Sequence, residues 1–421
     1  MGSPGIDVRH IGIVGAGTMG IGIAASCVAG GFDVTLIDSQ PTVLASGMQR
    51  VRALIDGAVK KGRLDQEAGA AAKSRLATAS DIGAAAVAQL VIEAVFENLQ
   101  LKQEIFRKLD AILPAQALIA TNTSTLDVDA IAAATQRPEN VIGMHFFSPA
   151  HVMPLVEIVR GALSSAASIA AARAVSARIG KRAVVVGNCF GFVGNRMLYA
   201  YGRENQFMLL EGVAAERIDA VLEGFGMAMG PNAVGDLAGL DVGYRVRRER
   251  KDLPDDPRYY RVADLLVEHG RLGQKSGRGM YLYSSDSRAR TVDPQVQRLI
   301  RDEAARLKVA PREVSDAEII ERCIYALINE GAAILGAGIA SSPEDIDVIW
   351  CNGYGFPRAR GGPMAYAGSI GLGTVLDGVS RMAAAQGARF WTAAPLLRKL
   401  AASNESFAAW QTLRAARPTQ I

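Results

Sequence analysis

Apolar and polar positions follow two different rhythms along the chain. In residues 8–188, short apolar runs alternate with longer stretches of mixed polar and apolar residues. The short runs predict buried strands and the longer stretches predict helices, an alternation typical of a parallel sheet with helices on both faces. The predicted strands are Ile11–Gly15, Val34–Asp38, Leu90–Glu93, Leu118–Thr121, Val141–His145 and Val184–Val186, and the predicted helices include Leu99–Leu113 and Ala166–Ile179.

After residue 187 strands become rare and long helical stretches dominate, including Gly194–Glu211 and Asp316–Ala337. This half contains an internal repeat, which predicts one helical unit present in two copies joined by residues 253–309. The alternative is a chance match between helices rich in Ala, Gly and Ile. Arg196, Tyr199, Ala200 and Gly212 recur 126 residues later as Arg322, Tyr325, Ala326 and Gly338, Ile218-Asp219 recurs as Ile346-Asp347, and Gly230-Pro231 recurs as Gly362-Pro363.

Composition excludes several functional classes. The chain has 421 residues, of which 49% are hydrophobic and 21% charged, as expected for a globular protein of two or three domains. A net charge of +4 is too small to indicate nucleic-acid binding. The four cysteines have no CxxC spacing, which argues against a metal site and favours a reducing, cytoplasmic location. The longest uncharged stretch, His10–Phe32, holds seven glycines and fits strand, turn and helix better than a membrane span.

A glycine-rich motif follows the first predicted strand. Gly15-Ala16-Gly17-Thr18-Met19-Gly20 is a GxGxxG that opens an apolar helix. In this setting Gly15 allows a tight turn, Gly17 lets a pyrophosphate approach, and Gly20 lets helix and strand pack closely, while Thr18 and Met19 begin the helix whose amides bind the phosphates. Asp38, at the end of the next strand, would bind the adenosine ribose and favour NAD over NADP. The alternative is a glycine-rich turn without a ligand.

These patterns together predict the domain organisation. Residues 1–187 are expected to form an NAD-binding α/β domain with a Rossmann-type doubly wound parallel sheet. Two homologous all-α units are expected to follow, at residues 188–290 and 291–421.

Three polar residues near strand ends are candidates for catalysis. His145 closes a predicted strand, and ligands bind at the carboxyl ends of strands in doubly wound sheets. A histidine there can act as a general base, Glu157 could hold its other ring nitrogen, and Ser124 could bind a reacting oxygen. From spacing alone, His145 could instead be a structural residue, Glu157 a surface carboxylate, and Ser124 the cap of a helix starting near Leu126.

The chain resembles the L-3-hydroxyacyl-CoA dehydrogenase family, and in its last part the multifunctional β-oxidation enzymes that fuse an enoyl-CoA hydratase to this dehydrogenase. The resembling segments are GAGTMG at 15–20, EAVFENLQLK at 93–102, TNTST at 121–125, HFFSP at 145–149, LVEI at 155–158, GFVGNR at 191–196, MGPNAVGDLAGLD at 229–241, GQKSGRGMYLY at 273–283, ERCIYALINEG at 321–331 and SPEDIDVIWCNGYGFPRARGGPM at 342–364.

The resemblance implies a reaction and a set of roles. NAD-dependent oxidation of a (3S)-3-hydroxyacyl-CoA to the 3-ketoacyl-CoA, in fatty-acid β-oxidation, is the expected activity. His145 would take the hydroxyl proton, Glu157 would orient and charge-balance His145, and Ser124 and Asn195 would bind the hydroxyl and thioester oxygens.

The resemblance also implies contacts with the cofactor and with CoA. Glu97 and Lys102 would lie beside the nicotinamide ribose. Lys60 and Lys61 lie where the family has basic residues near CoA, although exposed charges of this kind are often only solvated.

The expected partners follow from the same resemblance. The substrate is an acyl-CoA, and a hydratase domain or a thiolase is the expected protein partner. No segment resembles the hydratase, so we expect no hydratase activity from this chain. Single-function relatives pair their helical surfaces between subunits, so the second helical copy would allow a monomer, with a dimer as the alternative.

Two other functions remain open at this point. One is a β-hydroxyacid dehydrogenase acting on a free acid, which would carry a lysine rather than the His145 and Glu157 pair. The other is a non-catalytic NAD-binding module, which would have lost Ser124, His145, Glu157 or Asn195.

Overall fold

The computed structural model of the protein describes residues 6–284 and 289–415. The chain divides into two compact units. The first comprises the chain up to Phe192 together with Ile339–Ser341, and the second comprises the remaining residues from Val193 onward.

An eight-stranded sheet forms the centre of the first unit. Its strands are β1 (His10–Val14), β2 (Asp33–Ile37), β3 (Leu76–Ala79), β4 (Leu90–Glu93), β5 (Leu118–Thr121), β6 (Val141–Phe146), β7 (Leu155–Arg160) and β8 (Arg182–Gly187). Their order across the sheet is β3-β2-β1-β4-β5-β6-β7-β8, and all neighbours are parallel except β6 and β7. Strands β1 to β3 thus extend the sheet in one direction, and strands β4 to β8 extend it in the other. This is the doubly wound arrangement predicted from the sequence.

Helices cover both faces of this sheet. They are α1 (Thr18–Ala29), α2 (Pro41–Lys60), α3 (Gln66–Ser74), α4 (Leu99–Ile112), α5 (Val128–Ala132) and α6 (Ala166–Arg178), with 3-10 turns at Ile82–Val87 and Pro138–Asn140. Successive strand residues point to opposite faces, so Ile13 joins one buried cluster with Ile23 and Val51, whereas Val14 joins another with Phe106. Burial on both faces explains why the strands are continuous apolar runs in the sequence.

The sequence did not predict strands β3 and β7. Strand β3 is a short edge strand of small residues, and only its first residue is fully buried. Strand β7 runs antiparallel to β6 because the connection of residues 147–154 is too short for the crossover that a parallel strand requires. This reversal places Glu157 directly opposite His145 in the ladder.

The second unit is mainly helical and contains one small antiparallel hairpin. Its helices are α7 (Gly194–Leu210), α8 (Ala215–Phe225), α9 (Pro231–Ala238), α10 (Leu240–Glu249), α11 (Arg261–Glu268), α12 (Pro294–Arg306), α13 (Asp316–Ile320), α14 (Ala326–Gly336), α15 (Pro343–Gly353), α16 (Pro363–Ile370), α17 (Leu372–Gln386), α18 (Ala388–Trp391), α19 (Pro395–Ser403) and α20 (Phe407–Ala415), and its strands are β9 (Tyr281–Tyr283) and β10 (Arg290–Val292). The helix predicted at 316–337 contains a π-helical turn at Glu321–Tyr325 between α13 and α14, and further 3-10 turns lie at Gln274–Ser276 and Arg358–Arg360.

The same carboxylate contact occurs at the two positions of the sequence repeat. Asp219 in α8 accepts hydrogen bonds from the backbone N–H groups of Asn232–Ala233, at 2.9 and 3.1 Å. Asp347 in α15 accepts them from Met364–Ala365, at 2.7 and 3.1 Å. In each case the donors lie in the first turn of a helix that begins with the proline of the repeated Gly-Pro pair.

The two copies also exchange equivalent ion pairs. Arg196 Nε in α7 lies 2.6 Å from Glu330 Oε1 in α14, and Arg322 Nε lies 3.0 Å from Glu204 Oε2 in α7. The two glutamates have the same separation in sequence as the two arginines. In each ion pair, an arginine of one copy of the repeat therefore contacts a glutamate of the other copy.

These two ion pairs provide a matched test of burial. Arg322 and Glu204 have no exposed side-chain surface, whereas Arg196 and Glu330 keep 30% and 28%. Breaking a buried pair costs about 3–5 kcal/mol, while a more exposed pair contributes about 0–1 kcal/mol. Without Arg322, Glu204 keeps only Arg203 among the described residues, at 2.9 Å. The 2.6 Å contact of Arg322 with Glu211 is lost as well. We predict that Arg322→Met lowers the free energy of unfolding by about 3 kcal/mol and that Arg196→Met lowers it by less than about 1 kcal/mol. Equal losses in denaturant titrations would contradict this assignment.

Within the described residues, no helix is both long enough and apolar enough to cross a membrane.

Candidate active site

The glycine-rich turn between β1 and α1 has the shape required for a dinucleotide. Gly15 has a φ of 106°, and a Cβ there would lie 2.7 Å from the carbonyl oxygen of Ala94. A Cβ on Gly20 would lie 1.8 Å from the carbonyl oxygen of Gly15, so both positions require glycine. A Cβ on Gly17 would meet no atom within 4 Å. Gly17 therefore leaves open space in front of the helix that begins at Thr18, where backbone N–H groups favour a phosphate.

Two of the other predicted cofactor residues lie beside this turn. Met19 is half-buried in the first turn of α1, and Asp38 directly follows β2. Asp38 Oδ2 accepts a hydrogen bond from the N–H of Ala16 at 2.9 Å, and Oδ1 accepts one from the N–H of Gln40 at 3.0 Å. The carboxylate is thus tied to the glycine-rich turn, the position from which it can also accept from a ribose hydroxyl.

His145 and Glu157 form a buried pair at the carboxyl end of β6. His145 is 6% exposed and Glu157 is fully buried. His145 Nδ1 lies 2.8 Å from Glu157 Oε2, and the ring packs against Phe147 and Phe192 with centroids 4.6 and 5.7 Å away. A carboxylate on Nδ1 keeps that nitrogen protonated, which makes Nε2 the ring nitrogen that can accept a proton.

A buried ion pair lies at the carboxyl end of β4. Lys102 Nζ in α4 lies 2.7 Å from Glu93 Oε1, and both side chains are almost completely buried. Thr121, at the end of β5, donates to Glu93 Oε2 at 2.8 Å. Neither Glu93 nor Thr121 is among the site residues predicted from the sequence, although an acid closing an otherwise apolar strand is a signal that points to Glu93.

Glu97 organises the loop that carries Ser124. Its Oε1 accepts hydrogen bonds from the Thr123 hydroxyl at 2.6 Å and from the N–H groups of Ser124 and Thr125 at 2.8 and 3.1 Å. Burial raises the pKa of Glu97, but the charge of Lys102, 3.6 Å away, and these hydrogen bonds outweigh burial and lower the pKa overall. Glu97 therefore stays ionised and holds the loop after β5 in place.

Ser124 is not a helix cap. The helix after this loop, α5, begins at Val128, and the side chain of Asp127 caps it by accepting from the N–H of Asp129. The Ser124 hydroxyl lies 3.4 Å from Glu97 Oε1, and the neighbouring Asn122 side chain accepts from the N–H of Phe146 at the end of β6. The loop after β5 is thus tied directly to the strand that carries His145.

The two predicted CoA lysines have different surroundings. Lys60 is exposed in the last turn of α2, whereas Lys61, which caps that helix, lines a cavity of about 330 Å³. The other basic residues that line it are Arg63, Arg178, Lys181 and His151. Burial and the charges of Lys181, Arg63 and Lys61 lower the pKa of His151.

Asn195 lies in the second unit, in the first turn of α7, where its Oδ1 accepts a hydrogen bond from the Tyr354 hydroxyl at 2.8 Å.

Among the described residues, no group of three or more His, Cys, Asp or Glu side chains is arranged to hold a metal ion.

The glycine-rich turn, the acid after β2 and the buried histidine–glutamate pair are the features of an NAD-dependent oxidoreductase. Residues 10–189 match the NAD-binding domain of 3-hydroxyacyl-CoA dehydrogenase, and residues 191–283 and 319–408 match its C-terminal domain. The chain therefore belongs to the 3-hydroxyacyl-CoA dehydrogenase family.

Individual relatives agree with this assignment. The peroxisomal bifunctional enzyme of Danio rerio is 45% identical over 385 residues, which cover 88% of this chain and 53% of the relative. The fatty acid oxidation complex subunit alpha of Pseudomonas syringae pv. tomato is 35% identical over 409 residues, covering 95% of this chain and 56% of that subunit. The chain thus spans about half the length of these curated relatives.

A solved structure covers nearly the whole chain. The 3-hydroxybutyryl-CoA dehydrogenase of Escherichia coli superimposes with a TM-score of 0.81 at 29% identity, over 94% of this chain and 99% of that one. The predicted family, fold class, NAD cofactor and enzyme class, an NAD-dependent 3-hydroxyacyl-CoA dehydrogenase, are confirmed. The predicted cytoplasmic location is not confirmed, because several relatives are named as peroxisomal.

Substitution of Gly17 tests whether the glycine-rich turn binds the dinucleotide, and substitution of Gly20 is the control for an effect on folding. We predict that Gly17→Ala keeps the wild-type melting temperature but binds NADH at least about tenfold more weakly, because the methyl group fills the space needed for the pyrophosphate. Gly20→Ala, in contrast, lowers the free energy of unfolding by about 2 kcal/mol or more, because its methyl group collides with Gly15. Fluorescence titration and thermal unfolding measure the two effects. Wild-type NADH affinity in Gly17→Ala would contradict the assignment.

Proposed function

We propose that this chain catalyses the reversible NAD-dependent oxidation of (3S)-3-hydroxyacyl-CoA to 3-ketoacyl-CoA, as a step of fatty-acid β-oxidation. The observation that carries this proposal is the buried His145–Glu157 pair, with 2.8 Å between Nδ1 and Oε2. The pair lies at the carboxyl end of β6, and parallel strands bring that end to the same sheet edge as the glycine-rich turn after β1.

His145 is the proposed general base. Oxidation of a secondary alcohol requires a group that takes the hydroxyl proton while the hydride leaves the same carbon, and bound NAD supplies the hydride acceptor. With Nδ1 directed at Glu157, Nε2 receives the proton. In the reverse direction the same nitrogen returns the proton to the ketone oxygen.

Glu157 is the proposed partner that makes this proton transfer favourable. Its fully buried carboxylate balances the positive charge that the imidazole gains, and the hydrogen bond keeps the ring in the required tautomer. The aromatic side chains of Phe147 and Phe192 pack against the His145 ring and keep water from it.

Ser124 and Asn195 are the proposed contacts for substrate oxygens. The loop that carries Ser124 is fixed by Glu97 and, through Asn122, by the end of β6, so its position is set before substrate binds. Glu97 and Lys102 are the proposed residues beside the nicotinamide ribose. Glu97 also holds this loop through its own hydrogen bonds, and Lys102 lies between the carboxylates of Glu97 and Glu93, at 3.6 and 2.7 Å.

An assay with acetoacetyl-CoA and NADH tests the reaction and the cofactor together. We expect rapid oxidation of NADH at 340 nm, with at least about tenfold lower kcat/KM for NADPH because Asp38 repels a 2′-phosphate. Free acetoacetate with NADH, and free 3-hydroxybutyrate with NAD, are expected to be poor substrates. Equal turnover of the free acids would support a β-hydroxyacid dehydrogenase, and NADH binding without turnover would support a non-catalytic module.

The variant His145→Ala serves as the control for this assay. It is expected to bind NADH normally but to turn over at least about a hundredfold more slowly, because general-base catalysis contributes about 10²–10⁴-fold. Turnover close to wild type in this variant would reject the role of His145.

The cavity beside α2 is the proposed site for the phosphates of CoA. Lys61, Arg63 and Lys181 provide positive charge there, and an anion would also favour the protonated form of His151, whose pKa these cations lower. Of the two predicted lysines, Lys61 lines this cavity and Lys60 does not, so we propose Lys61 as the closer contact.

We predict that Lys61→Gln and Arg63→Gln each raise the KM for acetoacetyl-CoA about threefold to tenfold and leave kcat unchanged. Lys60→Gln is the matched control and is expected to have the wild-type KM. Acetoacetyl-pantetheine, which lacks the nucleotide phosphates, should show no difference among the variants. An equal increase in KM with this truncated substrate, or in Lys60→Gln, would contradict the proposed site.

We further propose that residues 188–290 and 291–421 are homologous helical units that follow the α/β domain of residues 1–187. The reciprocal Arg196–Glu330 and Arg322–Glu204 pairs and the two matches to one C-terminal domain support this division. Because the copies pair within one chain, a monomer is expected, working with a hydratase domain or a thiolase. Analytical ultracentrifugation of the chain, alone and mixed with each enzyme, tests both statements, and a tight dimer would contradict the first.

The cytoplasm remains our proposed location, and imaging of the tagged protein in its own cells tests it. A peroxisomal signal would reject the proposal.

A further inference from the structure

The phenol of Tyr354 meets the side chain of Asn195 inside the helical unit. Its hydroxyl donates a hydrogen bond to Asn195 Oδ1 over 2.8 Å, although the two residues are 159 positions apart in sequence. Asn195 lies in the first turn of α7, and Tyr354 directly follows α15. The inference drawn from this contact rests on the proposed function, which places Asn195 on a substrate oxygen.

The Tyr354 ring is held firmly from two sides. It stacks on the buried ring of Trp350, with centroids 4.7 Å apart and an interplanar angle of 23°. On another side it packs on the backbone of Gly194, where a Cβ would lie 2.5 Å from the Tyr354 Cε2 and hydroxyl oxygen. The hydroxyl is therefore presented to Asn195 from a fixed position, which is the support that a precisely oriented binding group requires.

In the structure, Oδ1 is the end of the Asn195 amide that meets the Tyr354 hydroxyl. An asparagine side chain accepts hydrogen bonds at Oδ1 and donates them at Nδ2. The ketone and thioester oxygens of a 3-ketoacyl-CoA can only accept, so a bound substrate requires the Nδ2 end. With Oδ1 bonded to Tyr354, Nδ2 is the end directed elsewhere. We propose that Tyr354 is a positioning residue that fixes the Asn195 amide in the orientation in which it donates to substrate.

The contact also departs from the symmetry of the repeat. The reciprocal arginine–glutamate pairs occur in both halves, but the counterpart of Asn195 is Glu321, and that of Tyr354 is Phe225, because Gly-Phe-Gly at 224–226 matches Gly-Tyr-Gly at 353–355. Glu321 pairs with Arg381 at 2.8 Å, and Phe225 has no hydroxyl that could replace that of the phenol. The hydrogen bond between Tyr354 and Asn195 has no equivalent at the matching positions of the repeat, so it is not required for the two copies to pair. We infer that it serves the function of Asn195.

Tyr354→Phe tests the proposal, because it keeps the ring on Trp350 and Gly194 and removes only the hydroxyl. In the full chain we expect kcat/KM for acetoacetyl-CoA to fall about tenfold, the loss expected for one hydrogen bond, with the KM for NADH unchanged. Tyr366→Phe, in α16 of the same unit, is the matched control and should keep wild-type kinetics. Wild-type kcat/KM in Tyr354→Phe would overturn the proposal.

A double-mutant cycle separates positioning from a general effect on structure. In an Asn195→Ala background, Tyr354→Phe should cause no further loss, because the amide that it orients is gone. The same tenfold loss in both backgrounds would overturn the proposal. If wild type is active and Asn195→Ala is equally active, this inference fails while the proposed reaction stands. If wild type shows no turnover, both fail.

Discussion

A buried carboxylate opposite a histidine is the interaction around which the α/β unit is arranged. Glu157 has no exposed surface, and a charge in that position persists only when it is paired and hydrogen-bonded. Its partner is available because β7 reverses direction and sets Glu157 across from His145 in the ladder. The single antiparallel pair in an otherwise parallel sheet thus has a chemical consequence, since it brings acid and base together without any loop contribution.

The remaining parts of the site depend on the parallel strands that precede this reversal. Strands β1, β4, β5 and β6 all end at one edge, so the glycine-rich turn, Glu93 and the loop carrying Ser124 converge there with His145. The buried Lys102–Glu93 ion pair and the hydrogen-bonded His145–Glu157 pair both lie at this edge within the α/β unit. Charged and polar groups are costly to bury among apolar strands, so their presence makes this edge the candidate for the active site.

Much of this arrangement could be predicted from the sequence, for physical reasons. Strands buried on both faces give continuous apolar runs, so β1, β2, β4, β5 and β6 were recognisable, while the partly buried edge strand β8 was recognisable from its run of valines. The GxGxxG motif has a steric basis that the structure shows at Gly15 and Gly20. Strand β7 was missed as a strand because its acid interrupts the apolar pattern. The partners of Glu97 and the contact between Asn195 and Tyr354 could not be predicted, because they join residues far apart in sequence through side-chain packing alone.

The central claim is that Glu157 makes His145 a base by fixing its tautomer and balancing its charge. Glu157→Gln tests this most directly, because glutamine has the same shape but can donate a hydrogen bond to Nδ1 and leave the proton on Nε2. The measurement is turnover of acetoacetyl-CoA, with NADH affinity and melting temperature as controls for folding. The account predicts at least about a hundredfold loss of kcat with both controls near wild type. Turnover within about twofold of wild type would contradict it.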